Sequence, residues 1–182
     1  MRVVDVFILV GWIAFWVYWL AAASGMKEGR TRWVRSIGVR VVLIIVLVLF
    51  LHSRSLGHVS HTTSPWLQSV GLAVFLLGLA AAIWARINLG RNWGTPMTEK
   101  VDPDLITSGP YGRVRHPIYS GIILAMIGTA IAVSWYWLTL AVFAGAYFTY
   151  SAFAEERYMA TRFPDEYSRY QQSTKMLIPF IF

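Results

Sequence analysis

Apolar stretches long enough to cross a bilayer alternate with short polar segments along most of this chain. Residues 3–23 form the first apolar run, broken early by Asp5 and carrying Trp12, Trp16 and Trp19. A second run lies near residues 37–51, with Arg40 in its first turn, where a long basic side chain can snorkel to the interface. A third covers about residues 66–87 and ends beside Arg86. Residues 118–153 are apolar throughout, too many for one crossing of about 20 residues and few for two full ones. A tight helical hairpin turning near Ser134 and Trp135 satisfies that length. The pattern predicts an all-α integral membrane protein with about five transmembrane helices, the last two forming the hairpin. A single membrane-embedded domain over residues 1–182 is expected, with two N-terminal spans in 1–65 and the core in 66–182.

Small residues sharpen this picture. Gly121, Ala125, Gly128 and Ala132 recur at helical spacing on one arm of the hairpin, and the third span holds Gly71, Gly78 and residues 80–82, all Ala. Such stripes let helix backbones approach closely inside a bilayer. The first run resembles a signal peptide in its flanks, but it exceeds an h-region of about 7–15 residues and is read as a retained span.

The polar segments decide orientation. With five spans, the loop 27–40, the segment 86–115 and the tail from Glu155 onward lie on one side and carry every Lys and Arg except Arg2 and Arg54. Basic residues mark the cytoplasmic side, which places the N-terminus outside and these segments inside. The net charge of +7 is thus accounted for by topology, and nucleic-acid binding is not expected because the charges flank spans instead of forming a basic module. The chain has no Cys, which excludes disulfides, thiolate nucleophiles and Cys metal sites. His52, His58 and His61 lie together without an accompanying acid and read as solvated loop residues; no metal site is expected. Residues 88–108 lack Ser/Gly repetition and read as an ordered loop or short interfacial helices.

Chemistry concentrates in residues 109–121, Gly-Pro-Tyr-Gly-Arg-Val-Arg-His-Pro-Ile-Tyr-Ser-Gly. Charged groups at a membrane boundary are costly unless paired or functional. Arg113, Arg115 and His116 precede one arm of the hairpin, and Glu155 and Glu156 end the other, so the turn brings opposite charges together. Two outcomes remain open: a salt bridge that fixes the base of the hairpin, or a pocket for a small zwitterion. In the pocket, Arg and His would meet a carboxylate, Glu an amine or sulfonium, and Tyr faces a cation. Pro117 biases His116 toward extended backbone, away from the helix that follows. There is no phosphate-binding Gly loop, and Ser120 has no local base to activate it.

An ordered set of motifs then carries a family resemblance. Leu89-Gly90-Arg91-Asn92-Trp93, Leu105-Ile106-Thr107-Ser108-Gly109-Pro110-Tyr111, Arg115-His116-Pro117-Ile118-Tyr119-Ser120-Gly121, Glu155-Glu156, Phe163 with Tyr167 and Tyr170, and Ile178-Pro179 together resemble the isoprenylcysteine carboxyl methyltransferase family and the related phospholipid N-methyltransferases. The resemblance covers about the C-terminal half. It implies an S-adenosylmethionine-dependent membrane methyltransferase with a cytoplasm-facing cofactor pocket, a lipophilic substrate entering from the bilayer, no metal and no obligate protein partner. Carried over, Leu105, Ile106, Tyr111, His116, Pro117, Ile118, Tyr119 and Glu155 would line the cofactor site, and Arg115, Glu155 and Glu156 would be the catalytic set. The acceptor implied is the carboxylate of a prenylcysteine-like molecule or another small hydrophobic compound; the alternative is a phospholipid amine. Three positions depart from the pattern: Pro164 follows Phe163 where Gly is usual, Met176 replaces an Arg before the final Pro, and Ser151 replaces an Arg one turn before the Glu pair. A sterol-reductase-type enzyme using NADPH and a non-catalytic membrane scaffold are the competing classes.

Overall fold

The computed structural model describes residues 2–22, 29–31, 61–94, 98–100 and 103–181. They form five α-helices: α1 (Val3–Ala22), α2 (Pro65–Leu89), α3 (Pro117–Ala132), α4 (Trp137–Arg162) and α5 (Pro164–Ser173). Three are long and apolar enough to cross a membrane: α1, α2 with its following 3-10 turn, and α4. The 16-residue α3 is apolar but shorter. The span expected near residues 37–51, and His52 and His58, lie outside the described residues. His61 is exposed, and no cluster of three metal-ligating side chains occurs among the described residues.

Local chemistry sets the helix ends. Pro occupies the first turn of α2, α3 and α5, where its missing N–H costs nothing and its fixed φ suits the helix. Asp165 and Glu166 favour the positive end of α5. Gly90 closes α2 with φ 54° and returns its N–H to Arg86 O. One departure from the all-helical expectation is a small antiparallel pair, β1 (Gly29–Thr31) with β2 (Thr98–Lys100), in register Gly29 to Lys100. A second departure is that Glu155, Glu156, Arg157 and Arg162 do not begin a tail; they occupy the last turns of α4.

The tightest seam lies between α2 and α3. A Cβ added at Gly121 would come 2.7 Å from Ala82 N, and one at Gly78, Gly71 or Gly128 would strike the backbone of the facing helix. Dispersion and close backbone approach drive such seams in lipid, where the hydrophobic effect between helices is absent. The small-residue arm of the expected hairpin therefore spends its Gly and Ala on α2. The turn 133–136 joins α3 to α4, and the two helices meet again through Tyr119 stacked on Phe148 at 4.6 Å. α1 buries Val4, Ile8, Phe15 and Trp19 along one stripe and leaves the rest of its apolar surface exposed, as a lipid-facing helix does.

Polar contacts give the helix directions. At one end Arg2 pairs with Asp5 at 2.6 Å, donates to Thr62 O, and donates to Val133 O at 3.1 Å. Thr62 also donates to Val133 O at 3.0 Å and to Ile131 O at 2.9 Å. At the other end Arg86 reaches Ala22 O at 2.6 Å. α1 and α2 thus run in the same direction, and α3 runs against them.

Candidate functional site

The motif 109–121 is built around Gly109, whose φ of 60° is a left-handed conformation and whose missing side chain leaves room for Asn88. A 3-10 turn (Gly109–Gly112) follows and buries Pro110 and Tyr111. Beyond it the chain is sewn to the C-terminal segment. Val114 and Lys175 form a parallel bridge. Arg115 N–H donates to Lys175 O at 2.8 Å, and His116 N–H to Met176 O at 3.0 Å. Ser120 Oγ donates to Leu177 O at 2.6 Å, and Tyr170 OH to Tyr111 O at 2.7 Å. Segment 174–177 is a strap that fixes the backbone from which Arg115 and His116 project.

Arg115 is wholly engaged. Its guanidinium meets Glu156 through Nε to Oε1 at 2.7 Å and Nη2 to Oε2 at 3.3 Å, and Nη1 donates to Thr174 O at 2.7 Å. Gln171 donates to the same Glu156 carboxylate at 2.8 Å. Both charged side chains are about nine-tenths buried, with 10% and 8% exposed. Such a fork needs every lone pair matched because desolvating the ions is costly.

Glu155 differs. Tyr119 OH donates to its Oε1 at 2.5 Å, and His116 Nδ1 lies 3.6 Å from its Oε2. The His116 ring stacks on Tyr119, 5.4 Å between centroids at an interplanar angle of 2°. Its Nε2 lies 3.3 Å from Glu156 Oε1 without the alignment of a hydrogen bond. Neighbours in sequence, the two glutamates point to different duties: Glu156 into the Arg115 fork, Glu155 onto a cavity.

That cavity, about 490 Å³, lies where the C-terminal ends of α1, α2 and α4 meet the start of α3. Of the residues expected at a cofactor site, Leu105, Ile106, Tyr111, His116, Ile118, Tyr119 and Glu155 line it, and so does Arg115. Pro117 does not; it is buried as the first residue of α3, where it starts the helix. Glu156 does not either, because its oxygens are taken by Arg115 and Gln171. Ser151 is fully buried, with its hydroxyl on Tyr147 O at 2.9 Å, and contributes nothing to the lining.

Sequence reasoning missed several walls. Phe148, Tyr158 and Met159 line the cavity from α4. Their spacing of seven before and three and four after Glu155 puts them on its helix face, a signal that was there to be used. Trp16, Trp19 and Leu20 of α1 and Trp93 after α2 also line it, and no local pattern announces those long-range neighbours. Asn92 and Asp104 join the two loops at the rim, with Asn92 Nδ2 on Asp104 Oδ2 at 3.0 Å and Asp104 N–H on Asn92 Oδ1 at 3.2 Å. Burial raises the phenols of Tyr111, Tyr167 and Tyr170 above their ordinary value, so they stay neutral donors and cannot serve as bases.

Comparison with known proteins adds an independent line. A sequence profile of the phospholipid methyltransferase family matches residues 66–166, which includes the loop, the motif, the Glu pair and most of the seam. A cobalt-zinc-cadmium resistance protein of Cupriavidus metallidurans is 31% identical over 79% of this chain and 63% of its own length. Protein-S-isoprenylcysteine O-methyltransferase B of Arabidopsis thaliana is 28% identical over 64% of this chain and 61% of its own. A methanethiol S-methyltransferase of a Pseudomonas species is 26% identical over 75% of this chain and 56% of its own. The chain spans about three fifths of the length of the first of these relatives.

Proposed function

We propose, because this chain belongs to the phospholipid methyltransferase family, that it transfers a methyl group from S-adenosylmethionine to a lipophilic acceptor in the cavity beside Glu155. In this reading α3 and α4 form a helical hairpin whose base faces the cytoplasm, as the distribution of Lys and Arg suggests. The acceptor reaches the cavity laterally, because its apolar part prefers lipid.

The residues present suit the cofactor. The cavity volume is in the usual range for a small-molecule site, and its lining mixes aromatic faces with a few polar groups. Glu155 is a carboxylate on the lining, held by Tyr119 and able to attract a cationic centre. Trp16, Trp19 and Trp93 bring indole rings to the lining, and Leu105, Ile106, Ile118 and Ile122 offer apolar surface. When bound, S-adenosylmethionine supplies an electrophilic methyl group on a sulfonium.

The protein's part is alignment. Holding two reactants in a near-attack geometry can contribute about 7–11 kcal/mol. Glu155 would attract the cationic centre of the cofactor, a contact that holds the reactant state and would not by itself lower the barrier. Arg115 and Glu156 act one step back, holding the strap and His116 in place. A carboxylate acceptor needs no base. An amine or thiol does, and Glu155, His116 and, at the rim, Asp104 are lining groups able to take the proton.

The observation that carries this reading is the division of labour between Glu155 and Glu156. Its first test is calorimetry of S-adenosylhomocysteine with the purified, detergent-solubilised protein. Saturable one-to-one binding is expected; absence of heat from folded protein overturns the reading. Transfer of labelled methyl from S-adenosylmethionine into lipid extracts and into small thiols then separates the acceptor classes.

A further inference from the structure

Arg86 is the least expected side chain in the molecule. It sits near the end of α2, 5% exposed, and its partners among the described residues include no carboxylate. A buried guanidinium needs compensation, and here three different groups provide it. Nη1 donates to Gly90 O at 2.8 Å, just beyond the end of α2. Nη2 donates to Ala22 O at 2.6 Å, the last residue of α1. The guanidinium carbon lies 4.5 Å from the centroid of the Trp93 ring. Helix C-termini carry unsatisfied carbonyls and roughly half a negative charge each, so two of them together attract one cation, while the buried Nε has no hydrogen-bond partner among the described residues.

The consequence reaches the cavity, although Arg86 does not line it. Trp93 does, and so do Trp16, Trp19 and Leu20 from the last turns of α1. Trp93 meets Trp19 edge to face at 5.5 Å and 87°. Trp19 in turn stacks on Phe15 at 4.9 Å. One side chain therefore holds both the helix end and the indole from which this wall is built.

We propose that Arg86 is a positioning residue of the cavity: by joining the ends of α1 and α2 and pinning Trp93, it sets the indole wall that a bound ligand meets. Lys cannot take its place, because a single ammonium lacks the planar fork that reaches two carbonyls while lying on a ring. The claim about ligand binding rests on the methyltransferase reading; the claim about the wall does not.

The test uses Arg86→Met and Arg86→Lys, each in the wild-type and in a Trp93→Phe background, in detergent. Circular dichroism and gel filtration establish folding. Tryptophan emission is expected to move to longer wavelength and acrylamide quenching to rise in both Arg86 variants. Most of that change should vanish when Trp93 is already Phe. S-adenosylhomocysteine affinity should fall about tenfold in both variants, the upper part of what one cation–π contact supplies. Trp93→Leu alone should lower affinity similarly, and adding Arg86→Lys to it should cost little more. This last pair carries the test if Arg86→Met does not fold. Unchanged spectra and affinity in Arg86→Lys overturn the proposal, as does a spectral change that persists undiminished without Trp93. If the wild type itself binds no S-adenosylhomocysteine, the methyltransferase reading fails, while the emission measurements still decide whether Arg86 pins the wall.

Discussion

The two ends of the helix bundle solve the same electrostatic problem differently. At one end Arg2 is held by Asp5 and by the carbonyls of Thr62 and Val133, and the charges close on themselves. At the other, Arg115 is held by Glu156 and the carbonyls of Thr174 and Gln171, yet a second carboxylate, Glu155, stands beside the closed pair and faces a cavity. The first arrangement is a staple. The second is a staple with another carboxylate beside it, one that accepts from Tyr119 and lines the cavity. In the reading proposed above, stability and ligand binding are separable by mutation at the second end and not at the first.

The sharpest test of that difference is Glu156→Ala. It leaves Arg115 buried without its acid, so a loss of about 3–5 kcal/mol is expected in unfolding measurements in mild detergent. A variant as stable as the wild type would mean the fork is not structural. Next in size is Glu155→Gln, which should barely move the melting temperature but weaken S-adenosylhomocysteine binding roughly 10–100-fold in calorimetry, the range for a charged partner. Equal affinity would remove Glu155 from the site.

Tyr170→Phe should cost about 1 kcal/mol by leaving Tyr111 O without its donor. It also bears on alkaline stability. The folded protein holds the phenols of Tyr111, Tyr167 and Tyr170 above the ordinary value of 10.0, chiefly by burial, so it binds their protons more tightly than the unfolded chain. That stabilisation is complete below pH 10 and is lost as pH rises through the folded values. Melting temperatures should accordingly fall above pH 10, less steeply in Tyr170→Phe; identical slopes would contradict the assignment. The smallest effect is expected at the other end. Asp5→Asn weakens a partly exposed pair, with 30% and 20% exposure, and should cost under about 1 kcal/mol without altering ligand affinity. A clear change in affinity there would show that the ends are coupled.

Several features could be read in advance because their causes are local. Residues 109–121 combine rigid Pro, permissive Gly109 and charged side chains, and that composition marks a special backbone wherever it occurs. The lengths of α1 and α2 and the turn between α3 and α4 follow from apolar runs. Gly and Ala stripes announce close approach, but a stripe names no partner: Gly121, Ala125 and Gly128 meet α2, through backbone contacts that periodicity cannot assign. Glu155 and Glu156 are likewise indistinguishable as letters. A rotation of one residue along a helix is about 100°, and it sends one carboxylate to Arg115 and the other to the cavity.

Apolar length, the basic flanks and the motif depend on residues close together in the chain, so the class of protein and the special segment 109–121 are written there. Which glutamate lines the cavity, which helix the small residues grip and which indoles complete the wall depend on segments tens of residues apart. Arg86 shows the limit most plainly. As a letter it is one more cation at the end of a span. Its role exists only once Ala22, Gly90 and Trp93 converge on it, because hydrogen bonds and ring contacts act over a few ångströms and the chain brings those groups together only by folding.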